Sequence, residues 1–327
     1  MASVPIIPPT IPSTGPPAEP SDAPPPACPV VIGALHLDLV ARLDGTHHPA
    51  ASNPVRFTAS AGGVGANVAR AIAAAGLPCR LIAPCGGEAA SDPMLALPGV
   101  AIERVAVGGC EPGRYVAVLD PCGELVAGYG DMRACELAGP GALLDALRWR
   151  AATLCVVDAN LSARAIAAVV AEAPAPIAAV AVSPVKARRL APVATGIALL
   201  FCNRREALAL TDAVVGASLE ALADRLHAAG FARVVLTDGP AGLLVSEPGA
   251  RHRLAAPAVG AEKMSGVNGA GDALAGATLA RLYPLHLPGA PDEPHGAGAG
   301  AASGRPSLCE ALITAGVPAA RRVLLAR

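Results

Sequence analysis

From residue 140 onward, short apolar runs alternate with helical stretches. That order directs the chain toward a parallel sheet covered by helices on both faces. Leu154–Asp158, Ile177–Val182, Ile197–Cys202 and Arg233–Thr237 read as buried strands, and Gly242–Ser246 as another. Residues 162–172, Lys186–Leu190, 204–210 and 218–229 read as helices, and Asp272–Tyr283 as a further one. Earlier in the chain, Val30–Ala34 suits a buried strand. Gly62-Gly63 then opens a helix over Val64–Ala75 that Gly76 closes, and Arg80–Ala83 is the next strand. The stretch between the first strand and Ser60 is polar and turn-rich. Residues 114–119 and 124–129 flank Asp120-Pro-Cys-Gly123, a hairpin turn with no crossover helix after it. This hairpin is therefore expected outside the main sheet.

Two segments fall outside this pattern. Residues 1–28 hold ten prolines and cannot bury a core, so a disordered tail is expected there, with order beginning at Pro29. Residues 287–306 are rich in Gly, Ala and Pro and read as a flexible insertion before a last helical piece, Ser307–Arg327. There is no internal repeat.

Composition limits what such a chain can do. The hydrophobic fraction is 53% but the aromatic fraction only 2%, so the core must pack through Ala, Val and Leu. Charges or polar breaks interrupt each apolar run after the tail before it reaches the roughly 18 residues of a membrane span, and residues 1–18 lack a basic leader. A net charge of −1 offers no footprint for nucleic acid or an anionic membrane surface. Nine cysteines are scattered without a Cys-x-x-Cys pair, which fits small buried thiols in a reducing cytoplasm rather than a zinc site.

The most informative run is Gly266-Val-Asn-Gly-Ala-Gly-Asp-Ala-Leu-Ala-Gly276. A turn of small residues leads into a helix, where unpaired backbone N–H groups and the helix dipole favour an anion. Phosphoryl transfer needs charge compensation and a base. Gly269, Ala270 and Gly271 could supply the first and Asp272 the second. An Asp at a helix start is also the ordinary capping residue, so this segment alone leaves both roles open. A second run, Ser60-Ala-Gly-Gly-Val-Gly-Ala-Asn-Val-Ala-Arg70, fails as a dinucleotide fingerprint. Its third glycine position is Val68, and it does not directly follow the first strand.

Together, Gly62-Gly63-x-Gly65-x-Asn67, Asn203-Arg-Arg-Glu206 and Gly269-Ala-Gly-Asp272 resemble, in order and spacing, the ribokinase-like (PfkB) carbohydrate kinases. The resemblance spans about residues 29–325. It implies a three-layer αβα sandwich with a mostly parallel sheet and a small β-lid, the lid built from about 36–58 and 108–131. Within that family the chain looks most like pseudouridine kinases. Ser52-Asn53-Pro54, Gly130-Asp131-Met132, Asp158-Ala-Asn-Leu-Ser162 and Ser183-Pro-Val-x-x-Arg-Arg-Leu190 carry this likeness.

The resemblance implies ATP as phosphoryl donor, Mg²⁺ as its partner, and a nucleoside or free sugar as acceptor, with pseudouridine the best single guess. A ribokinase or another nucleoside kinase is the same-class alternative, and an inactive ligand-binding regulator the more distant one. Asp272 would be the base. Asp38, Gly62, Gly63 and Asn67 would bind the sugar, and Asn53 and Asp131 would sit near the base or sugar of a nucleoside. Asn203, Thr237, Gly239 and Gly242 would serve the nucleotide phosphates, as could Lys186, one of two lysines in the chain. Glu206 would help hold Mg²⁺, often through water. A monovalent-cation requirement is left open, and the lid of such kinases can also form a homodimer interface. Two positions depart from the pattern. Asn268 stands where the family usually has Thr, and Ala66 where the subgroup usually has Arg.

Overall fold

The computed structural model describes residues 27–87, 92–148, 151–258, 269–283 and 306–325. The expectations for residues 1–26 and 287–305 lie outside the described residues. In chain order the elements are β1 (Cys28–Ile32), β2 (His36–Leu43), β3 (Val55–Gly62), α1 (Val64–Ala74), β4 (Cys79–Gly86), β5 (Val100–Val107), β6 (Arg114–Leu119), β7 (Leu125–Asp131), α2 (Arg133–Leu137) and α3 (Pro140–Arg148). They continue with β8 (Ala152–Asp158), α4 (Ala163–Glu172), β9 (Ile177–Val180), α5 (Pro184–Ala187), β10 (Leu199–Asn203), α6 (Arg204–Thr211), α7 (Leu219–Ala228), β11 (Val234–Thr237), β12 (Leu243–Glu247) and β13 (Ala250–Leu254). The last are α8 (Ala270–Leu282), α9 (Leu308–Ala311) and α10 (Val317–Leu325).

Nine strands form the main sheet in the order β13-β12-β11-β10-β9-β8-β1-β4-β5. From β5 through β11 neighbouring strands pair in parallel, and β12 and β13 add antiparallel pairs at one edge. The strands are buried on both faces, so alternate residues feed two different cores. Val30 and Ile32 of β1 face α3, α4, α6 and α7, whereas Val31 faces α1 and α8. The result is a ribokinase-like three-layer α/β fold. β2, β3, β6 and β7 form a separate four-stranded sheet in the order β3-β2-β6-β7.

Several local expectations need correction. Order begins one residue earlier than Pro29, at Cys28, because β1 pairs with β8 from that position. The polar stretch before Ser60 is largely two paired strands: β2 and β3 match residue for residue from His36↔Gly62 to Leu43↔Val55. Their composition hid them because one face of the lid is wet, leaving no continuous apolar run. Edge strands β5 and β13 were missed for the same reason. Lys186–Leu190 is not one helix but the end of α5 followed by 3-10 turns over Arg188–Gly196, with Pro192 inside. The last helix is interrupted by a π-helical turn at Leu312–Gly316. There a Cβ on Gly316 would overlap the hydroxyl of Thr278 on α8.

Small side chains bring two helices unusually close. A Cβ on Gly276 of α8 would lie 2.6 Å from both the Ala71 methyl and the Val68 carbonyl oxygen of α1. The Ala-rich composition thus appears as close packing of α1 on α8, which sets their first turns side by side.

The C-terminal ends of the strands are tied by one carboxylate. Asp158, at the end of β8, is 1% exposed and accepts from the backbone N–H of Ala34 at 2.8 Å, Gly65 at 2.8 Å and Asn160 at 2.9 Å. Asp158→Ala strands these three donors. It should lower the unfolding free energy in urea by roughly 3 kcal/mol or more. Asp158→Asn keeps an acceptor oxygen and should lose less, so equal losses would contradict this account.

Candidate active site

Parallel α/β sheets bind ligands beyond their carboxyl ends, where neighbouring strands leave in opposite directions. Here that point lies between β1 and β8, since the chain runs from β1 outward to β4 on one side and from β8 to β9 on the other. A cavity of about 530 Å³ opens there, large enough for a nucleoside-sized ligand. Asp38, Gly63, Asn67, Lys186, Asn203, Glu206, Thr237, Gly269, Gly271 and Asp272 all line it. They come from β2, α1, α5, β10, α6, β11 and α8 and the turns before them.

Asp272 sits in the first turn of α8, three positions after the capping residue Gly269. Gly269 adopts φ 80, in the left-handed region, and makes no side-chain cap bond. Asp272 is therefore not the cap, and that alternative is removed. Its Oδ2 accepts from Asn67 Nδ2 at 2.9 Å. The residue keeps an edge on the cavity while protein packs around its carboxyl. Burial pushes the carboxyl up to about 7, the bond from Asn67 lowers it, Asp158 and Glu206 raise it, and Arg70 lowers it. A carboxyl so placed can hold or release a proton near neutral pH.

The turn before Asp272 suits an anion. A Cβ on Gly271 would meet nothing within 4 Å, while Ala270 packs on the core and faces away from the cavity. The leading N–H groups of α8, a 13-residue helix, receive no side-chain cap. Lys186 Nζ, beside the cavity, donates to Asn160 Oδ1 at 2.7 Å. Across from it, Asn203 and Glu206 form a capping box. Asn203 Oδ1 accepts from Glu206 N at 3.0 Å, and Glu206 Oε2 accepts from Asn203 N at 2.9 Å. Burial raises the Glu206 carboxyl above its ordinary value. Among the described residues no cluster of three or more His, Cys, Asp or Glu could cage a metal. One buried carboxylate lining the same cavity as the open turn of α8 fits a Mg²⁺ that keeps most of its waters.

The lid contributes the opposite wall. Asp38 lies on β2 with one oxygen 2.7 Å from His36 Nδ1, but the two are not aligned for a hydrogen bond. Gly62 does not line the cavity. Its role is spatial, since any Cβ would overlap the Asp38 carboxylate. Gly63, at φ 107, likewise has the Ala34 carbonyl where a Cβ would go.

The pattern of residues matches a known family. The family model "pfkB family carbohydrate kinase" covers residues 29–294. The chain belongs to the pfkB family of carbohydrate kinases. That membership makes it an ATP-dependent kinase. A carbohydrate kinase from Agrobacterium tumefaciens is 28% identical, with 90% of this chain and 89% of that one covered at a TM-score of 0.69. A ribokinase from Thermotoga maritima is 19% identical over 79% of this chain and 86% of its own, at 0.66. An adenosine kinase from Sinorhizobium meliloti is 18% identical over 91% and 94%, also at 0.66. No curated protein sequence matches the chain.

Not every singled-out residue of this pfkB kinase reaches the cavity. Asn53 uses its amide to close the loop at the far end of the lid, accepting from His48 N at 2.8 Å and donating to the carbonyls of His48 and Ala51, each at 2.9 Å. Asp131 pairs with Arg133 at 2.6 Å while its neighbours Gly130 and Met132 line the cavity, as strand alternation dictates. The Arg133 guanidinium holds the Asp131 carboxyl below its usual range. Gly239 and Gly242 shape the loop after Thr237 without lining the cavity. Asp238 in that loop is held by Arg204 through two bonds of 2.8 Å. Asn268 lies outside the described residues.

Other cavity residues were assigned no role from the sequence. His36, Tyr115, Asn160 and Ser183 line the cavity, and Val182 adopts φ 69, rare for a β-branched residue. The Ser183 N–H closes this turn onto the Ala181 carbonyl at 2.8 Å. His36 stands two residues before Asp38 on one strand face, which was the available signal. Val182 gave none. No disulfide joins any of the nine cysteines, and Cys122, in the hairpin turn, is exposed rather than buried.

The raised carboxyl of Asp272 has a consequence for stability. Its folded value lies above the unfolded one, so the folded state binds the proton more tightly. Ionisation then costs stability progressively as pH rises from about 4 to 7, beyond which the cost is constant. Asp272→Asn should raise the melting temperature, by an amount that grows over this interval and then levels off. A gain that shrinks with rising pH would refute the assignment.

Proposed function

We propose that this kinase transfers the γ-phosphoryl group of ATP to a hydroxyl of a nucleoside or sugar, and that it converts pseudouridine to pseudouridine 5′-phosphate. The observation that carries the transfer is Asp272. Its carboxyl is held by Asn67 and raised to about 7, on the wall of a cavity that also holds Asp38 and the open turn of α8. Support for the acceptor comes from where the pseudouridine-kinase-like runs fall. Gly130, Met132, Asn160 and Ser183, drawn from three of those runs, line the same cavity.

In this reading the Asp38 carboxylate accepts hydrogen bonds from a vicinal diol, and Asn67 offers polar contact to the sugar. Asp272 Oδ2 is engaged by Asn67, so Oδ1 takes the proton of the attacking hydroxyl. The hydroxyl oxygen forms its bond to the γ-phosphorus as the bond to the β-bridging oxygen breaks. N–H groups of the Gly269–Gly271 turn offset charge on the transferring group, and Lys186 adds a cation beside them. Mg²⁺, when bound, neutralises phosphate charge, and Glu206 with Asn203 would hold it through water. The lid strands cover the sugar and keep water from accepting the phosphoryl group.

The direct test incubates the protein with Mg-ATP and pseudouridine, uridine, adenosine, ribose or fructose, and measures phosphorylated product. Pseudouridine should react best; reaction with ribose while pseudouridine stays inert sinks the acceptor assignment. Asp272→Asn should lose at least ~10²-fold in kcat, the lower range for removing a general base. Only ionised Asp272 can take the proton, so kcat/KM should fall as pH drops below about 7. Gly62→Ala, which displaces the Asp38 carboxylate, should raise the acceptor KM by about tenfold with less effect on kcat.

A further inference from the structure

We propose that Arg70 is a positioning residue for phosphoryl transfer, fixing the Asn67 amide against Asp272 and tying it to the root of the lid; this rests on reading Asp272 as the base. Arg70 lies one turn after Asn67 on α1. Its Nη1 donates to Asn67 Oδ1 at 2.8 Å, and Asn67 Nδ2 donates to Asp272 Oδ2 at 2.9 Å. Its Nη2 donates to the Ala61 carbonyl at 2.8 Å. Ala61 belongs to lid strand β3. It pairs with Leu37, the residue before Asp38, and precedes Gly62, which makes room for the Asp38 carboxylate. One half-buried guanidinium therefore reaches the lid strand and, through one amide, the base.

The chemistry of the amide explains why a guanidinium is needed. Asn67 presents a donor at one end and an acceptor at the other, and the two ends are nearly equal in shape. Ionised Asp272 accepts only, so it selects Nδ2. Arg70 donates only, so it selects Oδ1. The two demands agree, and a flipped amide would set acceptor against acceptor and donor against donor. The agreement matters most once Asp272 has taken the substrate proton. A neutral carboxyl can donate, and an unrestrained amide could then turn its oxygen to accept from it. With Oδ1 claimed by Arg70, Asn67 keeps donating to Oδ2. The proton stays on Oδ1, the oxygen that received it, and can leave from there. Lysine cannot reproduce this, because a point ammonium lacks the fork that spans Asn67 and Ala61.

A double-mutant cycle tests the proposal. Arg70→Gln, Arg70→Lys, Asn67→Ala and the Arg70→Gln/Asn67→Ala pair are assayed with Mg-ATP and pseudouridine, or with ribose where pseudouridine is inert. Thermal melts report folding. Arg70→Gln should lower kcat about tenfold with the KM for ATP unchanged, and Arg70→Lys should fall between it and the parent. In the Asn67→Ala background the same Arg70→Gln change should alter kcat less than twofold, because Arg70 acts through that amide. An unchanged kcat, or an equal loss in both backgrounds, overturns the proposal. If Arg70→Gln does not fold, Arg70→Lys carries the same comparison with Asn67→Ala. Asp272→Asn is run alongside. Full activity there removes the base itself, whereas an inactive Asp272→Asn beside a fully active Arg70→Gln removes only this inference.

Discussion

A single buried carboxylate organises the cavity at the carboxyl end of the sheet. Asp158 ends β8 at the centre of the sheet and takes backbone N–H groups from three places: the segment after β1, the first turn of α1 and its own following turn. Burial raises its pKa, and those three donors pull it back. A carboxylate can be kept so deep only where several donors converge on it. Gly33 is glycine because a Cβ there would overlap this carboxylate. Once Gly65 N is fixed, α1 starts at a set height above β1, and Asn67 stands at the cavity wall.

The second constraint is packing. A chain with three Phe, three Tyr and one Trp cannot fill its interior with large rings, so its helices approach closely. Gly276 lets α8 rest on Val68 and Ala71 of α1. That contact lies one turn beyond Asp272 and close to Asn67, so the same small residues that close the core also set the 2.9 Å bond between the two. Packing here is the means by which two distant parts of the sequence share a hydrogen bond.

Electrostatics follows from that placement. Asp158, Glu206 and Arg70 lie near enough to Asp272 for their charges to act on it, and Lys186 acts likewise on Asp158. Burial and the two neighbouring carboxylates push Asp272 up, and Arg70 and Asn67 oppose them. The balance leaves a carboxyl that changes protonation near neutrality, where a base for a sugar hydroxyl is useful. The nearby α8 N-terminus adds the positive end of a helix dipole to the same cavity, a field that favours an anion.

By itself the sequence determined the layered α/β architecture, the Gly-Gly turn into α1, the small-residue turn into α8 and a lid hairpin outside the main sheet. Each is a local signal: apolar runs of strand length, glycines where backbone must approach backbone, and a hairpin turn with no helix after it. It also brought Asp38, Asn67, Asn203, Glu206 and Asp272 forward as a set. Tertiary structure alone decided that β2 and β3 are strands, because their wet faces leave no apolar run to read. It alone decided that Asn53 closes a loop and Asp131 pairs with Arg133, since hydrogen-bond partners are chosen in space. And it alone joined Arg70, Asn67 and Asp272, because 205 residues separate the last two and only the contact of α1 with α8 brings them within hydrogen-bond reach.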